Sequence, residues 1–420
     1  MNTENQDILN EEDQDILRED VTDDNEEYYD FRYNSLKKKG AIISIVMIWL
    51  FCLIVFGMAG LHLLTDDRSF SESENRVLGK MPKLSVSAIA DGSFAKEFET
   101  YLTDQFPFRD GIISLKTMAD RVLGKNEENG VYIGKDSYLF DTQTPFNGKH
   151  IVEIGKAVTD FTKKYSDYKT AFILAPNSSY VYSDYLPKYL EMTDQRVIIR
   201  SVHNHITNDN ILWPAAAKML KEKANETQLY YKTDHHWTTR GAYMLFQELC
   251  LSWGFEKAAE DIDKKFEFHK ISTTFEGTLA STSGVHDVKD EIEICLPKGS
   301  EGTYVATFES TGEKTASLFF PDKLQQKNHY EVFMGGNYDK VIIDTVSPSG
   351  RSLLLIKDSY ANCMIPMLTP YFSKIVVIDP RYLTDSLESI IKENDFTHML
   401  FLYNINTLLE DNSLVPCLAS

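Results

Sequence analysis

Leu354-Leu355-Ile356-Lys357-Asp358-Ser359-Tyr360 sets an apolar, strand-like run directly before a serine and a helix-like stretch, Tyr360 to Leu368. A tight strand-to-helix turn exposes a side chain at the C-terminal edge of a sheet, where open α/β folds place their ligands. The helix start would add N–H groups and a positive dipole end, both suited to an oxyanion. Asp-Ser before a helix is also ordinary N-capping, and Asp358 stands in the capping place.

Thr233-Asp234-His235-His236-Trp237-Thr238 supplies what a serine needs to act as a nucleophile. In an extended segment residues i and i+2 share a side, so Asp234 is expected to meet His236 while His235 points away. The carboxylate would hold the imidazole tautomer, and the other ring nitrogen would face the serine. Two other readings stand beside this one: a surface loop with satisfied histidines, and a zinc site. Against zinc, adjacent histidines from one strand are expected to diverge, no third ligand motif is evident, and the five cysteines lack C-x-x-C spacing. No metal or cofactor is expected. An oxyanion hole needs a further donor, for which Gly335-Gly336-Asn337 is the first candidate. Asn177 and Asn362 follow. Trp237, Tyr360 and Arg381, with Tyr382 beside it, are candidate substrate contacts.

The chemistry sits in an alternating pattern. Apolar strand-like runs occupy Thr170 to Leu174, Gln228 to Tyr231, Lys340 to Asp344, Ser352 to Ile356, Lys374 to Ile378 and His398 to Leu402. Helix-like stretches fall at 151–164, around Trp213 and Leu220, and from Gly241 to Leu251. Such alternation predicts an α/β fold with a mainly parallel sheet. Residues 265–335 break it with Glu291 to Cys295, Thr303 to Phe308 and Glu331 to Met334, which read as a β-rich insertion. Upstream, helical periodicity over 92–123 is interrupted at Phe106-Pro107-Phe108-Arg109. A hairpin-like stretch, Val131 to Phe140, follows.

The 420-residue chain carries a net charge of -20, unevenly spread. Residues 1–30 hold thirteen acidic side chains against Arg18 alone. That composition cannot bury a core, so 1–36 is expected to be a disordered acidic tail. Without the tail the rest is only mildly acidic, which leaves no footprint for nucleic acid. Residues 41–64 are apolar over a length that crosses ~30 Å of hydrocarbon. Arg32, Lys37, Lys38 and Lys39 precede them, so the N-terminus is expected in the cytoplasm and the bulk of the chain outside. The run is long for a cleaved signal, begins far into the chain and lacks an A-x-A site, which favours a signal anchor. Residues 66–90 read as a stalk and 91–420 as the extracytoplasmic domain.

Taken with Ser73-Glu74-Asn75-Arg76, Phe106-Pro107-Phe108-Arg109, Gly335-Gly336-Asn337 and Asp379-Pro380-Arg381-Tyr382, the two runs make the chain resemble the DHHW family. That family is related to the SGNH-hydrolase-like domains of alginate O-acetyltransferases. The resemblance implies an SGNH-hydrolase-like three-layer fold with Ser359 as nucleophile, His236 as base and Asp234 as its partner. It implies acyl transfer to, or ester hydrolysis on, a cell-surface polysaccharide, with a membrane-bound O-acyltransferase as acyl-donor partner. The order Asp-His first and Ser last matches the alginate-acetylation branch. Lys357 departs from it, standing where the wider Gly-Asp-Ser motif has glycine. The alternative is a non-catalytic exported subunit that keeps the fold to bind glycan or assist assembly.

Overall fold

The computed structural model describes residues 23–71, 76–299 and 303–420. Most of the acidic tail, and Ser73 to Asn75 of the family pattern, lie outside the described residues. The chain forms two compact units. One holds the described residues up to Ser69 together with Leu78–Arg109. Its dominant element is helix α1, Asp23–Leu64, whose Ser35–Leu64 portion is long and apolar enough to cross a membrane. Helix α1 begins upstream of the expected span, so residues 23–36 are helical rather than disordered. The proposed stalk contains a short helix, Val86–Ala90, started by Ser85, whose hydroxyl accepts from the Ala88 N–H.

The other unit holds Phe70–Val77 and Asp110–Ser420. The strands of its main sheet and of the hairpin beside it, in chain order, are β1 (Lys169–Ala175), β2 (Phe266–Phe275), β3 (Asp290–Pro297), β4 (Tyr304–Phe308), β5 (Glu313–Thr315), β6 (Lys340–Thr345), β7 (Ser352–Lys357), β8 (Lys374–Ile378) and β9 (His398–Asn404); Phe70–Ser71 with Arg76–Val77, and Glu127–Glu128 with Val131–Ile133 and Leu139–Asp141, make two small sheets besides. Seven of these form one sheet in the order β5-β4-β6-β8-β7-β9-β1. β8, β7, β9 and β1 run parallel, whereas β6, β4 and β5 extend the sheet antiparallel. The sheet is therefore mixed. The sequence carries the reason: β7 is buried almost throughout, as a strand covered on both faces must be, while β4 alternates buried Tyr304, Ala306 and Phe308 with more exposed Val305 and Thr307.

Alternate residues of the parallel strands feed two cores. Ala171, Ile173, Leu353, Leu355, Ile375, Val377, Leu400 and Leu402 face one side, where helix α4 (Thr239–Ser252) and the β2–β3 hairpin cover them. Phe172, Leu174, Leu354, Ile356, Val376, Ile378, Met399 and Phe401 face the other, under helices α2 (Gly148–Lys164) and α3 (Gln195–His205). This is the three-layer α/β arrangement. Between β7 and its two neighbours the chain order reverses: it goes from β7 to β8 on one side, then to β9 on the other. The C-terminal end of β7 is a topological switch point, the place where such sheets open a crevice.

Three expected strands resolve differently. Thr303 to Phe308 is no part of a separate insertion but becomes β4 of the main sheet. Glu331 and Val332 lie in a 3-10 turn, His329–Val332, and Phe333 makes only the isolated bridge Phe319↔Phe333. Gln228 to Tyr231 makes only the isolated bridge Tyr230↔Trp237. What remains of the insertion is the β2–β3 hairpin with helix α5 (Thr278–Ser283) between its strands.

Candidate active site

The serine turn is built by Asp358. Its backbone is extended, one carboxylate oxygen accepts from the Tyr360 N–H at 2.9 Å, and the other accepts from the Asn404 N–H at 2.7 Å. One side chain thus caps the turn and ties the end of β7 to the end of β9. The expected helix over 360–368 is broken into a 3-10 turn, Ser359–Ala361, and a single α turn, Ile365–Leu368, with Pro366 near its start. So short a helix sums little dipole, and of the expected oxyanion support the dipole part is lost.

The Asp-His-His-Trp loop is held by residues remote in sequence. Asp290, on β3, accepts from the Lys232 and Thr233 N–H groups, the Thr233 hydroxyl and the Gln228 amide. Asp234 then meets His236 as the i, i+2 rule predicts. Its Oδ1 accepts from the His236 N–H at 3.0 Å and from Nδ1 at 2.6 Å; its Oδ2 accepts from the Thr278 N–H at 2.9 Å and hydroxyl at 3.0 Å. His236 Nε2 lies 2.8 Å from Ser359 Oγ. An ionised carboxylate only accepts, so Nδ1 carries the proton and Nε2 is left to receive the serine hydroxyl. Burial alone would raise the Asp234 carboxyl, but His235, His236 and the four donated hydrogen bonds outweigh it and hold the group well below the usual carboxylate range.

Gly277 makes this approach possible: a Cβ there would fall 2.2 Å from Asp234 Cβ. Tyr330 lies flat on the His236 ring, centroids 3.8 Å apart and planes 12° from parallel, and its hydroxyl donates to the Ser359 carbonyl at 3.1 Å. It therefore fixes both partners.

His235 does not point away. Its ring lies against that of His236, centroids 4.0 Å apart, and its Nδ1 reaches the Thr278 hydroxyl at 2.8 Å. Burial, with His236 next in weight, pushes its imidazole below the ordinary histidine range. Asp234, His235 and His236 bring their possible ligand atoms within 4.8 Å of one another. The histidines thus converge where divergence was expected. A metal still fits poorly, because each Asp234 oxygen already accepts two hydrogen bonds and His236 Nε2 is turned to Ser359.

The two motif loops clamp each other. The Trp237 indole N–H donates to the Tyr360 carbonyl at 2.8 Å, and the Tyr360 hydroxyl donates to the His235 carbonyl. Trp237 is fully buried, so its part is structural and the expected substrate contact is corrected. Tyr360 is also buried, yet its edge joins Asp141, Asn177, His235 and Asn404 in lining a cavity of about 140 Å³. Arg381 is committed to Asp379 through Nε at 2.9 Å and Nη2 at 2.7 Å, while staying partly exposed. Asn177 bonds Asn404 and Asn406 on the β1–β9 flank, which spends its amide away from the serine. Asn337 is on the other flank, where its Oδ1 accepts from Lys357 Nζ at 3.1 Å and from Asn362 Nδ2 at 3.2 Å. The Asn362 N–H donates to the Ser359 carbonyl at 3.2 Å. Tyr330, Thr278, Asp290 and Gly277 were not legible as site residues.

The fold is of the SGNH-hydrolase-like three-layer kind, and comparison with known proteins shows what the chain is similar to. Residues 131–326 match the family model of the SGNH hydrolase-like domain of the acetyltransferase AlgX; that span contains Asp234 and His236 and stops before Ser359. The proteins named "Probable alginate O-acetylase AlgJ" from Pseudomonas syringae and Pseudomonas putida are each 23% identical, over 204 and 169 residues. Those matches take in 46% and 39% of this chain, and 52% and 44% of theirs. The chain thus spans about half the length of the curated relatives it matches. Among solved structures, a DHHW family protein from Eubacterium siraeum superposes with a TM-score of 0.56 at 23% identity, covering 69% of this chain and 96% of its own. Bacillus cereus PatB1 with a sulfonyl adduct superposes with a TM-score of 0.57 at 18% identity, covering 68% and 97%. The resemblance to the DHHW family and to the SGNH-hydrolase-like domain of the alginate acetylation proteins therefore holds, and the structural likeness is one of fold.

Proposed function

We propose that the chain is a membrane-anchored, extracytoplasmic serine O-acyltransferase or esterase acting on cell-surface polysaccharide. The observation that carries this is the unbroken hydrogen-bonded series from Asp234 through His236 to Ser359. His236 Nε2 takes the Ser359 proton as Oγ attacks the acyl carbonyl, and Asp234 stabilises the imidazolium that results. The Ser359 N–H and the Asn337 amide receive the negative oxygen of the tetrahedral intermediate. As the intermediate collapses, His236 returns the proton to the departing oxygen and Ser359 keeps the acyl group. A sugar hydroxyl, or water for an esterase, then attacks the acyl-enzyme while His236 again takes the proton.

The rest of the chain supports that setting. Residues 41–64 anchor the protein, with the basic residues before them and the 1–36 tail in the cytoplasm. Residues 66–90 form the stalk, and 91–420 carry the chemistry outside. The names of AlgX and AlgJ support O-acetylation of a polysaccharide; the acyl-donor partner in this reading is a membrane-bound O-acyltransferase. Turnover of an acetyl ester by the full chain in detergent tests the proposal: Ser359→Ala and His236→Ala each lower it ~10³-fold or more with the fold retained.

A further inference from the structure

We propose that Lys357 is a positioning residue that sets the orientation of the Asn337 carboxamide beside the serine turn; this rests on the acyl-transfer reading above. Lys357 ends β7, immediately before Asp358-Ser359, and its side chain is buried. A buried ammonium needs partners. It finds the Asp379 carboxylate at 3.3 Å and the Asn337 carbonyl oxygen at 3.1 Å.

The consequence falls on Asn337. A carboxamide can sit either way round, and its neighbours decide. Here Lys357 Nζ is an obligate donor, and Asn362 Nδ2 is kept on the same side as a donor by the Gly336 carbonyl, which it reaches at 3.4 Å. The flipped amide would set its NH₂ against an ammonium and a second NH₂. The oxygen is therefore locked inward, and the NH₂ is presented outward. Among the described residues that NH₂ donates to no protein group, and it is not sealed from solvent. An unengaged, oriented donor on the loop held against the serine turn through Asn362 is what a developing oxyanion requires. Asp379 keeps the bidentate Arg381 pair, so it is neutralised even without Lys357. The lysine can then be removed without stranding a buried carboxylate.

A double-mutant cycle on the full chain tests this, with acetyl-ester turnover as the readout and phosphonate labelling of Ser359 as the check that the nucleophile is intact. Asn337→Ala is expected to lower kcat ~10²-fold or more with little change in KM. Lys357→Met is expected to lower kcat ~10-fold or more, again with KM held, and to add nothing in the Asn337→Ala background. Independent, multiplying losses would overturn the inference, as would a wild-type kcat in Lys357→Met. Should Lys357→Met fail to fold, Lys357→Leu, which likewise offers no donor, answers the same question. If the wild-type serine neither turns over ester nor labels, the acyl-transfer reading falls and this inference with it; if it labels and turns over while the Lys357 variant matches it, this inference alone falls.

Discussion

Gly277→Ala should disable the site from outside it. The added Cβ would stand 2.2 Å from Asp234 Cβ and 2.5 Å from Asp234 Oδ2. Non-bonded carbons settle at ~3.5–4.0 Å, so the two residues must part by more than ~1 Å. Neither is free to yield. The Gly277 N–H donates to the Thr233 hydroxyl at 3.0 Å, and that hydroxyl is itself bound to Asp290. Asp234 is held by both Thr278 donors and by His236. Overpacking of this kind costs about 1–3 kcal/mol of stability. A displacement near 1 Å in the group that orients the base costs activity ~10²-fold. Thermal unfolding and acetyl-ester turnover, measured on the same preparation, give both numbers. Gly111→Ala is the control: nothing lies within 4 Å of a Cβ there, and alanine suits the interior of helix Arg109–Val122. A Gly277→Ala protein with unchanged stability and full turnover would refute the packing argument and the place of Asp234 in it.

Tyr330→Phe keeps the ring on His236 and gives up only the hydrogen bond to the Ser359 carbonyl, so it should cost ~1 kcal/mol of stability and little turnover, whereas Tyr330→Ala frees the imidazole and should cost turnover an order of magnitude or more. The Asp234 carboxyl, held below the usual range, contributes stability that is fully present above the unfolded carboxylate pKa of ~4 and is lost as pH falls through the lower folded value. The difference in melting temperature between wild type and Asp234→Asn should therefore stay constant from neutral pH down to about pH 5 and shrink in more acid solution.

Much of this was legible in the chain because local patterns carried it. The buried runs 352–356, 374–378 and 398–402 could only be interior parallel strands, and Asp234 and His236 had to share a side once their segment was extended. The edge of the sheet was not legible: the alternation in Thr303 to Phe308 predicts a half-covered strand but does not name its neighbour. His235 was misjudged because the alternation rule describes a straight strand, whereas this loop is bent by its bonds to Asp290. Tyr330 and Thr278 stood in a stretch read as an insertion, and nothing within it shows that they fold back on the site. Trp237 and Tyr360, amphipathic enough for a sugar cleft, spend their polar atoms on each other's backbone segments. Lys357 read as a departure from a motif, and its two partners come from separate loops.

The central claim is that Ser359 is a nucleophile activated by His236. Acetyl-ester turnover of wild type, Ser359→Ala, His236→Ala and the double variant tests it most directly. The account predicts equal collapse of ~10³-fold or more in both single variants and no further loss in the double. Wild-type turnover no higher than that of the variants, with a polysaccharide acceptor also supplied, would contradict it and turn attention to glycan binding.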